Sequence, residues 1–287
     1  MNRIVFTLIL LTFITSNALA ESAREIMERV DARDDGTSQY SKQTVATCKY
    51  QIENKKLRCV EKPRVKVIEA VNKDYGGNHK DNKSLMVIID PPAERGISFL
   101  QYDWDAQDKD TDQWMYLSAI GKVKRIVSGD ENEPKTGSLF GSEFSYEDVE
   151  RPHLDDYIYT IKKETNYRNR PVWIIESVPT PKRARKSNYS KSIQWIDKER
   201  LIPLKGLLYN RRGKLVKQMS FSGYVQKNGI WVAQKMNMNN KETRRITTMK
   251  MENIALNIDI ENEVFTQRAL TDLAFQQSQL ENIRKGK

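Results

Sequence analysis

The sequence predicts an α+β fold that is mainly β: one large, strongly curved antiparallel sheet covered by short helices. Three observations carry this expectation. Apolar residues keep a period of two through most of the chain from about residue 44 to 260. Turn pairs punctuate those runs, at Ile120-Gly121, Arg212-Gly213 and Asn228-Gly229, the last being the strongest short hairpin signal in the chain. Helical character is confined to a short stripe near the start and to the tail.

The first twenty residues stand apart. Met1 to Arg3 give a positive start, Ile4 to Ile14 run almost wholly apolar, and Ala18-Leu19-Ala20 is a small-x-small site, so residues 1–20 read as a cleaved signal peptide. The apolar run is well below the roughly 20 residues that cross a bilayer. No cysteine follows the cleavage site to take a lipid, so the expected product is a soluble, exported protein in the periplasm.

Ser22 and Glu25 then form a capping box, with Ile26, Met27 and Val30 on one helical stripe. Thr44 to Tyr50 and Lys56 to Val60 predict a hairpin, followed by strands at Val65 to Val71 and Leu85 to Ile89 about the turn Tyr75-Gly76-Gly77-Asn78. Further strands are expected at 113–117, 123–127, 157–163, 172–176, 192–196 and 204–209. A final meander of long strands covers 215–225, 230–238, 244–251 and 254–260. Two stretches do not alternate. Ser128 to Asp156 is rich in Gly, Ser and acid, with a short helix expected at Ser145 to Val149, and Phe265 to Arg284 has helix-forming composition; both read as covers for the sheet. With no repeat, linker or composition break, residues 21–287 are expected to form a single domain with a C-terminal helical tail.

Charge and cysteine content narrow the partners. Of 48 Lys and Arg only Arg3 falls in the leader, leaving 47 against 38 acids, a net charge of +9. A basic exported protein meets anionic lipid head groups rather than nucleic acid, although mixed charge is most often simply a solvated surface. Cys48 and Cys59, on neighbouring strands in an oxidising compartment, are expected to form a structural disulfide. No cofactor or metal is expected.

Catalytic constellations are missing. Nucleophilic catalysis needs a base beside the nucleophile, and the two histidines, His79 in a polar turn and His153 between Pro152 and Leu154, read as surface residues. Asp103, Asp105, Asp108, Asp110 and Asp112 crowd one stretch without the Gly and distal Glu of a calcium loop. What is unusual is the supply of large apolar groups on strands: Trp114, Tyr116, Trp173, Trp195 and Trp231, with Met219, Met236, Met238, Met249 and Met251. Their default role is core. A curved sheet of ten or more strands, however, encloses more space than short helices fill, and methionine-rich walls suit an alkyl chain of variable shape. Lys182-Arg183-Ala184-Arg185-Lys186, after Pro179 and Pro181, is expected as an exposed basic loop, and Arg211-Arg212 with Lys214 as a basic turn.

Three stretches together resemble a known family: Pro91-Pro92-Ala93-Glu94-Arg95-Gly96-Ile97-Ser98-Phe99-Leu100, then Gln113-Trp114-Met115-Tyr116-Leu117 running through Gly121-Lys122-Val123 to Ile126, then Phe140-Gly141-Ser142-Glu143-Phe144-Ser145-Tyr146-Glu147-Asp148. They are similar to the outer-membrane lipoprotein-sorting proteins with a LolA-like fold, in particular the longer members found with RND-type exporters, and Asn253 to Leu270 fits as well. The resemblance implies an incomplete antiparallel barrel closed by short helices, and a hydrophobic cavity for acyl chains of a lipid or lipoprotein. It also implies a non-catalytic carrier, an inner-membrane RND-type exporter as partner, and peripheral membrane contact. The chain is longer than the best-known carriers. On this reading Phe99, Trp114, Tyr116, Phe140, Phe144, Trp173 and Trp195 line the cavity or its lid, and Lys182, Arg183, Arg185 and Lys186 dock on a membrane or partner. The alternative is a lipid or lipoprotein sensor or adaptor that docks on a membrane protein, as RseB-type sensors do.

Overall fold

The computed structural model describes residues 21–54, 56–77, 80–130 and 133–286. The expected leader at 1–20, and Asn78 and His79 in the glycine turn, lie outside them.

Helix α1, Ala23–Asp31, opens on the predicted capping box: the Glu25 amide donates to Ser22 Oγ at 3.2 Å and the Ser22 amide to Glu25 Oε2 at 2.7 Å. The strands follow as β1 Ser38–Glu53, β2 Lys56–Cys59, β3 Arg64–Tyr75, β4 Asp81–Asp90, β5 Ser98–Asp103, β6 Asp112–Leu117 and β7 Lys122–Arg125. After a long connection come β8 Tyr157–Tyr167, β9 Arg170–Pro179, the short helix α2 Pro181–Lys186, β10 Tyr189–Asp197, β11 Pro203–Asn210, β12 Leu215–Lys227, β13 Ile230–Asn240 and β14 Arg245–Leu256. Helices α3 Gln267–Thr271 and α4 Leu273–Lys285 end the chain.

All fourteen strands join one curved antiparallel sheet, open rather than closed into a barrel, in the order β7-β6-β5-β4-β3-β1-β14-β13-β12-β11-β10-β9-β8, with β2 paired to β1 alone. Thus β1 sits in the middle. It pairs with β3 on one side and β14 on the other, joining two meanders. The edge strands β7 and β8 are consecutive in sequence yet lie at opposite ends of the sheet, so residues 126–156 have to cross one of its faces. We call that the inner face and the connection the strap.

The register assigns side chains to faces, since directly paired residues point the same way. Ser41, Ala70, Met86, Phe99 and Met115 form one inner row across β1, β3, β4, β5 and β6, and Val45, Met249, Met236 and Phe221 another across β1, β14, β13 and β12. Helix α1 covers the inner face at β8–β10, burying Ile26 and Val30 with Trp173, Ile175 and Ile196. Helices α3 and α4 cover the outer face at β3–β6, where Leu270, Leu280 and Ile283 pack on Tyr40, Val71, Leu85 and Leu100.

Three local expectations change. The helix expected at 145–149 is a single 3-10 turn, Glu147–Val149. The tail breaks at Asp272, whose Oδ1 caps α4 by accepting from the Phe275 amide at 3.0 Å. The basic stretch 182–186 is a helix, not a loop, because Pro181 presets its first turn and Thr180 caps it, accepting from the Arg183 amide.

The disulfide Cys48–Cys59 forms as expected, with its Cα atoms 5.7 Å apart. Replacing both cysteines with alanine should lower unfolding free energy in urea by about 2–3 kcal/mol; an unchanged midpoint would mean that the cross-link adds nothing to the fold.

Candidate functional site

Nine methionines occur in the chain, and the eight beyond Met1 all lie on the inner side of the sheet. Met27 projects from α1 into its contact with the sheet. Met86, Met115, Met219, Met236, Met238, Met249 and Met251 stand on five strands around Val45, Ile68, Ile88 and Phe99. Alternation explains this: Met236 and Met238, like Met249 and Met251, are two apart on one strand, and the pairs Met219↔Met238 and Met236↔Met249 stack them across strands. The outer face of the same strands carries Lys235, Asn237, Thr248 and Lys250.

The strap covers only part of this wall. Phe140 and Phe144 are buried on Phe99, whose ring is stacked 5.9 Å from Tyr146. Beneath them Met238 and Met249 are closed off, whereas Met219, Phe221, Met236 and Met251 stay half-exposed. Phe140 holds φ +52°, in the left-handed region costly for a residue with a Cβ, and its buried ring offsets that cost.

Polar bonds fasten the strap to both halves of the sheet. The Phe140 carbonyl accepts from Lys66 Nζ at 2.8 Å and the Val149 carbonyl from Gln101 Nε2 at 2.8 Å. The Glu143 carboxylate accepts from Asn240 and Thr243 and pairs with Arg245 at 3.1 Å. Asp148, buried, pairs with Lys217 Nζ at 2.6 Å and accepts from the Tyr189 hydroxyl at 2.7 Å. Lys135 pairs with Glu150, and Arg183 reaches both Glu147 and Glu150 at 3.2 Å.

Between the strap and α1 lies a hollow of about 250 Å³, with Met27, Tyr157, Tyr159, Tyr189, Leu208 and Met219 in its wall and Asp148, Arg183 and Lys191 at its rim. Burial pushes the phenols of Tyr157, Tyr159 and Tyr189 above their ordinary range, and the Asp148 carboxylate adds to the effect at Tyr189. These hydroxyls therefore stay protonated, and the wall is uncharged between rim ions. Burial works against the Arg183 charge, but Tyr157, Glu150 and Glu147 outweigh it and hold the guanidinium firmly protonated.

A larger space, about 1390 Å³, opens on the outer face between α4 and β1, β3 and β4. Its walls carry Lys42, Arg95 and Arg284, and Glu69 there binds the Tyr40 hydroxyl at 2.7 Å and Arg284 at 3.0 Å. Apolar groups share these walls, among them Val87, Ile89, Leu256 and Leu280, so the ions stand interleaved with aliphatics, whereas the wall of the smaller hollow is mainly aromatic and aliphatic.

The seven expected cavity residues do not share one wall. Phe99, Phe140 and Phe144 meet on the inner face. Trp114 and Tyr116 are on the outer face against Leu270 and Phe265, Trp173 lies under α1, and Trp195 packs with Tyr167 and Trp231 on the outer side. Of the basic cluster, Lys182 and Arg185 remain exposed, but Arg183 is turned into the strap and Lys186 pairs with Asp110. Asp103 is buried, accepting from Gln101, Thr111 and the Arg151 amide. Among the described residues no three metal-binding side chains converge. Sequence reasoning missed Met27, Met86, Met115 and the anchor Asp148; the strand register, which places the methionines together, was the absent signal.

The chain is thus an open, curved antiparallel sheet with a methionine-rich inner face and a strap that runs between its two edges. The chain matches a family model, described as an uncharacterized protein, over residues 80–272. A DUF1329 family protein from Desulfovibrio piger is similar in structure, with TM-score 0.76 and 24% identity over 86% of this chain and 97% of that one. A putative outer membrane lipoprotein-sorting protein domain from Vibrio parahaemolyticus has TM-score 0.74 and 27% identity over 87% and 98%. A LolA superfamily protein from Nitrosomonas europaea has TM-score 0.61 and 18% identity over 86% and 99%. No curated protein matches the chain. The chain belongs to the family of that model, and its fold is LolA-like.

Two substitutions test the strap. Gly137 has φ +112°, and a Cβ there would stand 2.8 Å from the Tyr146 ring, whereas Gly141, at φ +68°, faces open space. Gly137→Ala should cost about 3 kcal/mol in urea unfolding and Gly141→Ala about 1 kcal/mol; equal costs would contradict the packing described. Lys217→Met strands the buried Asp148 carboxylate and should cost about 3 kcal/mol, largely recovered in the double variant with Asp148→Asn. A double variant no more stable than Lys217→Met would show that the pair does not anchor the strap.

Proposed function

We propose that this protein is a periplasmic, non-catalytic carrier that holds acyl chains of a lipid or lipoprotein against the inner face of its sheet. The observation that carries the reading is the half-exposed wall of Met219, Phe221, Met236 and Met251 beside the hollow at Met27 and Leu208. Each methylene buried there contributes about 0.8 kcal/mol, so an acyl chain of a dozen carbons is held firmly with no bond made or broken. Methionine side chains are flexible and polarisable, and they adapt to chains of different length and unsaturation.

The hollow, at about 250 Å³, lies just under the roughly 300–1,000 Å³ of ordinary ligand sites. A cargo with several acyl chains therefore requires the strap to yield, with Phe140 and Phe144 leaving Phe99 and the chains taking their place. Phe99, Phe140 and Phe144 act in this reading as the lid contact. Service to an RND-type exporter or to outer-membrane lipoprotein sorting belongs to the same proposal, and the exporter association rests on the sequence resemblance. The adaptor alternative loses its discriminating feature, because Arg183 is spent on Glu147 and Glu150.

Denaturing extraction of protein purified from its native periplasm, followed by mass spectrometry, should release lipid or acylated peptide. A fluorescent fatty acid should bind the delipidated protein, and Met236→Glu should weaken that binding at least about tenfold, because a carboxylate would lie against the chain. Repeated recovery of empty protein that also ignores the probe would overturn the carrier reading.

A further inference from the structure

We propose that the β1–β2 hairpin is a docking arm that seats the protein on an anionic lipid surface. This goes beyond cargo binding and involves residues outside the inner wall.

Pairing geometry makes the hairpin an arm. Strand β1 is bonded to β14 as far as Lys49↔Arg245, with the Tyr50 amide still donating to the Arg244 carbonyl at 3.0 Å, and to β3 as far as Thr47↔Arg64, but Gln51 to Glu53 pair with β2 alone. These last three residues carry the hairpin roughly 10 Å clear of the sheet at about 3.3 Å per residue. Its root is fixed by the Cys48–Cys59 disulfide and by the Val60 amide, which donates to the Lys49 carbonyl at 3.0 Å. A short two-stranded ribbon is marginal alone, so this bracing keeps a solvent-facing ribbon in shape.

The arm is amphipathic. Ile52 and Leu57 are direct partners and share one face, while Gln51 with Arg58 and Glu53 with Lys56 share the other. Ile52 is 70% exposed, Leu57 40%, Val60 48% and Val65 47%, so four of the ten exposed large aliphatics among the described residues fall within fourteen positions. Such a concentration on a folded surface marks a contact site.

Charge selects the occupant. Lys49, Lys56, Arg58, Lys62 and Arg64 are all exposed here, against Glu53 and Glu61. Both acids already have cationic partners, Glu53 in Arg58 at 3.4 Å and Glu61 in Arg245 at 3.6 Å, and Glu61 also accepts from the Lys49 amide. Aliphatic groups interleaved with an excess of exposed cations, five against two acids, on a projecting ribbon match a lipid head-group layer. Aliphatics enter the acyl boundary while lysines and arginines stay among the phosphates. This hairpin grows from the middle of the strand order, apart from the basic stretch at 182–186 between β9 and β10.

The test is flotation of the mature chain with phosphatidylcholine vesicles with or without phosphatidylglycerol, alongside fatty-acid probe binding as a check that the fold and inner wall are intact. The protein should float with the phosphatidylglycerol vesicles, less so as salt is raised. Lys56→Gln with Arg58→Gln should weaken partitioning about 30-fold, at about fivefold per cation, and Ile52→Ser with Leu57→Ser more than about tenfold. Probe binding should stay unchanged in both. Flotation indifferent to phosphatidylglycerol, or unmoved by both double variants, would overturn the proposal. Loss of probe binding by the parent protein would overturn the carrier reading and leave this one standing.

Discussion

The whole arrangement depends on one topological constraint: β7 and β8 follow one another in sequence but form opposite edges of an open sheet. The chain between them must traverse the sheet, and a traversing segment has to satisfy its backbone polar groups without strands of its own. Side chains of the sheet do that work, with Lys66, Gln101 and Gln113 donating to strap carbonyls at Phe140, Val149 and Tyr146. Buried carboxylates at Glu143, Glu147, Asp148 and Glu150 then meet Arg245, Arg183, Lys217 and Lys135. The belt is thus held at many points by polar contacts at its margins and by Leu139, Phe140, Phe144 and Tyr146 buried in the oily floor beneath it.

This constraint also divides the molecule by chemistry. The inner face gathers every methionine of the described residues, while the outer face of the same central strands is lined by lysine, asparagine and threonine. The C-terminal helices repair the outer face only at β1 and β3–β6, where tyrosines 40, 102 and 116 supply apolar rings. The open groove beneath α4 is therefore the larger space and the more charged one. Its ions hold one another, as in Glu69 with Arg284, and would have to be desolvated by any apolar guest.

Much of this was readable from residues alone. The capping box at Ser22 and Glu25, the hairpin at Asn228-Gly229 and the Cys48–Cys59 pair are local signals, set by neighbours a few positions apart, and each appears as expected. The methionine pattern at 236, 238, 249 and 251 was also legible, because a period of two puts alternate residues on one face. Long-range information was hidden. Nothing local tells that β1 pairs with β14, nor that Trp114 and Trp195 face away from Phe99, since a bulky aromatic on a strand suits either face. Arg183 misled for a related reason: a basic run in sequence looks solvated, but helical spacing turned one of its cations inward to carboxylates about 35 residues away.

The central claim is that alkyl chains lie on the unstrapped part of the inner wall. Methyl-labelled methionine spectra of the delipidated mature protein, titrated with a long-chain fatty acid, address it residue by residue. The account predicts that the signals of Met27, Met219, Met236 and Met251 move first and furthest, with those of Met238 and Met249 following only when the strap shifts. A titration that leaves all of these signals in place, or that broadens only residues of the outer groove, would contradict it.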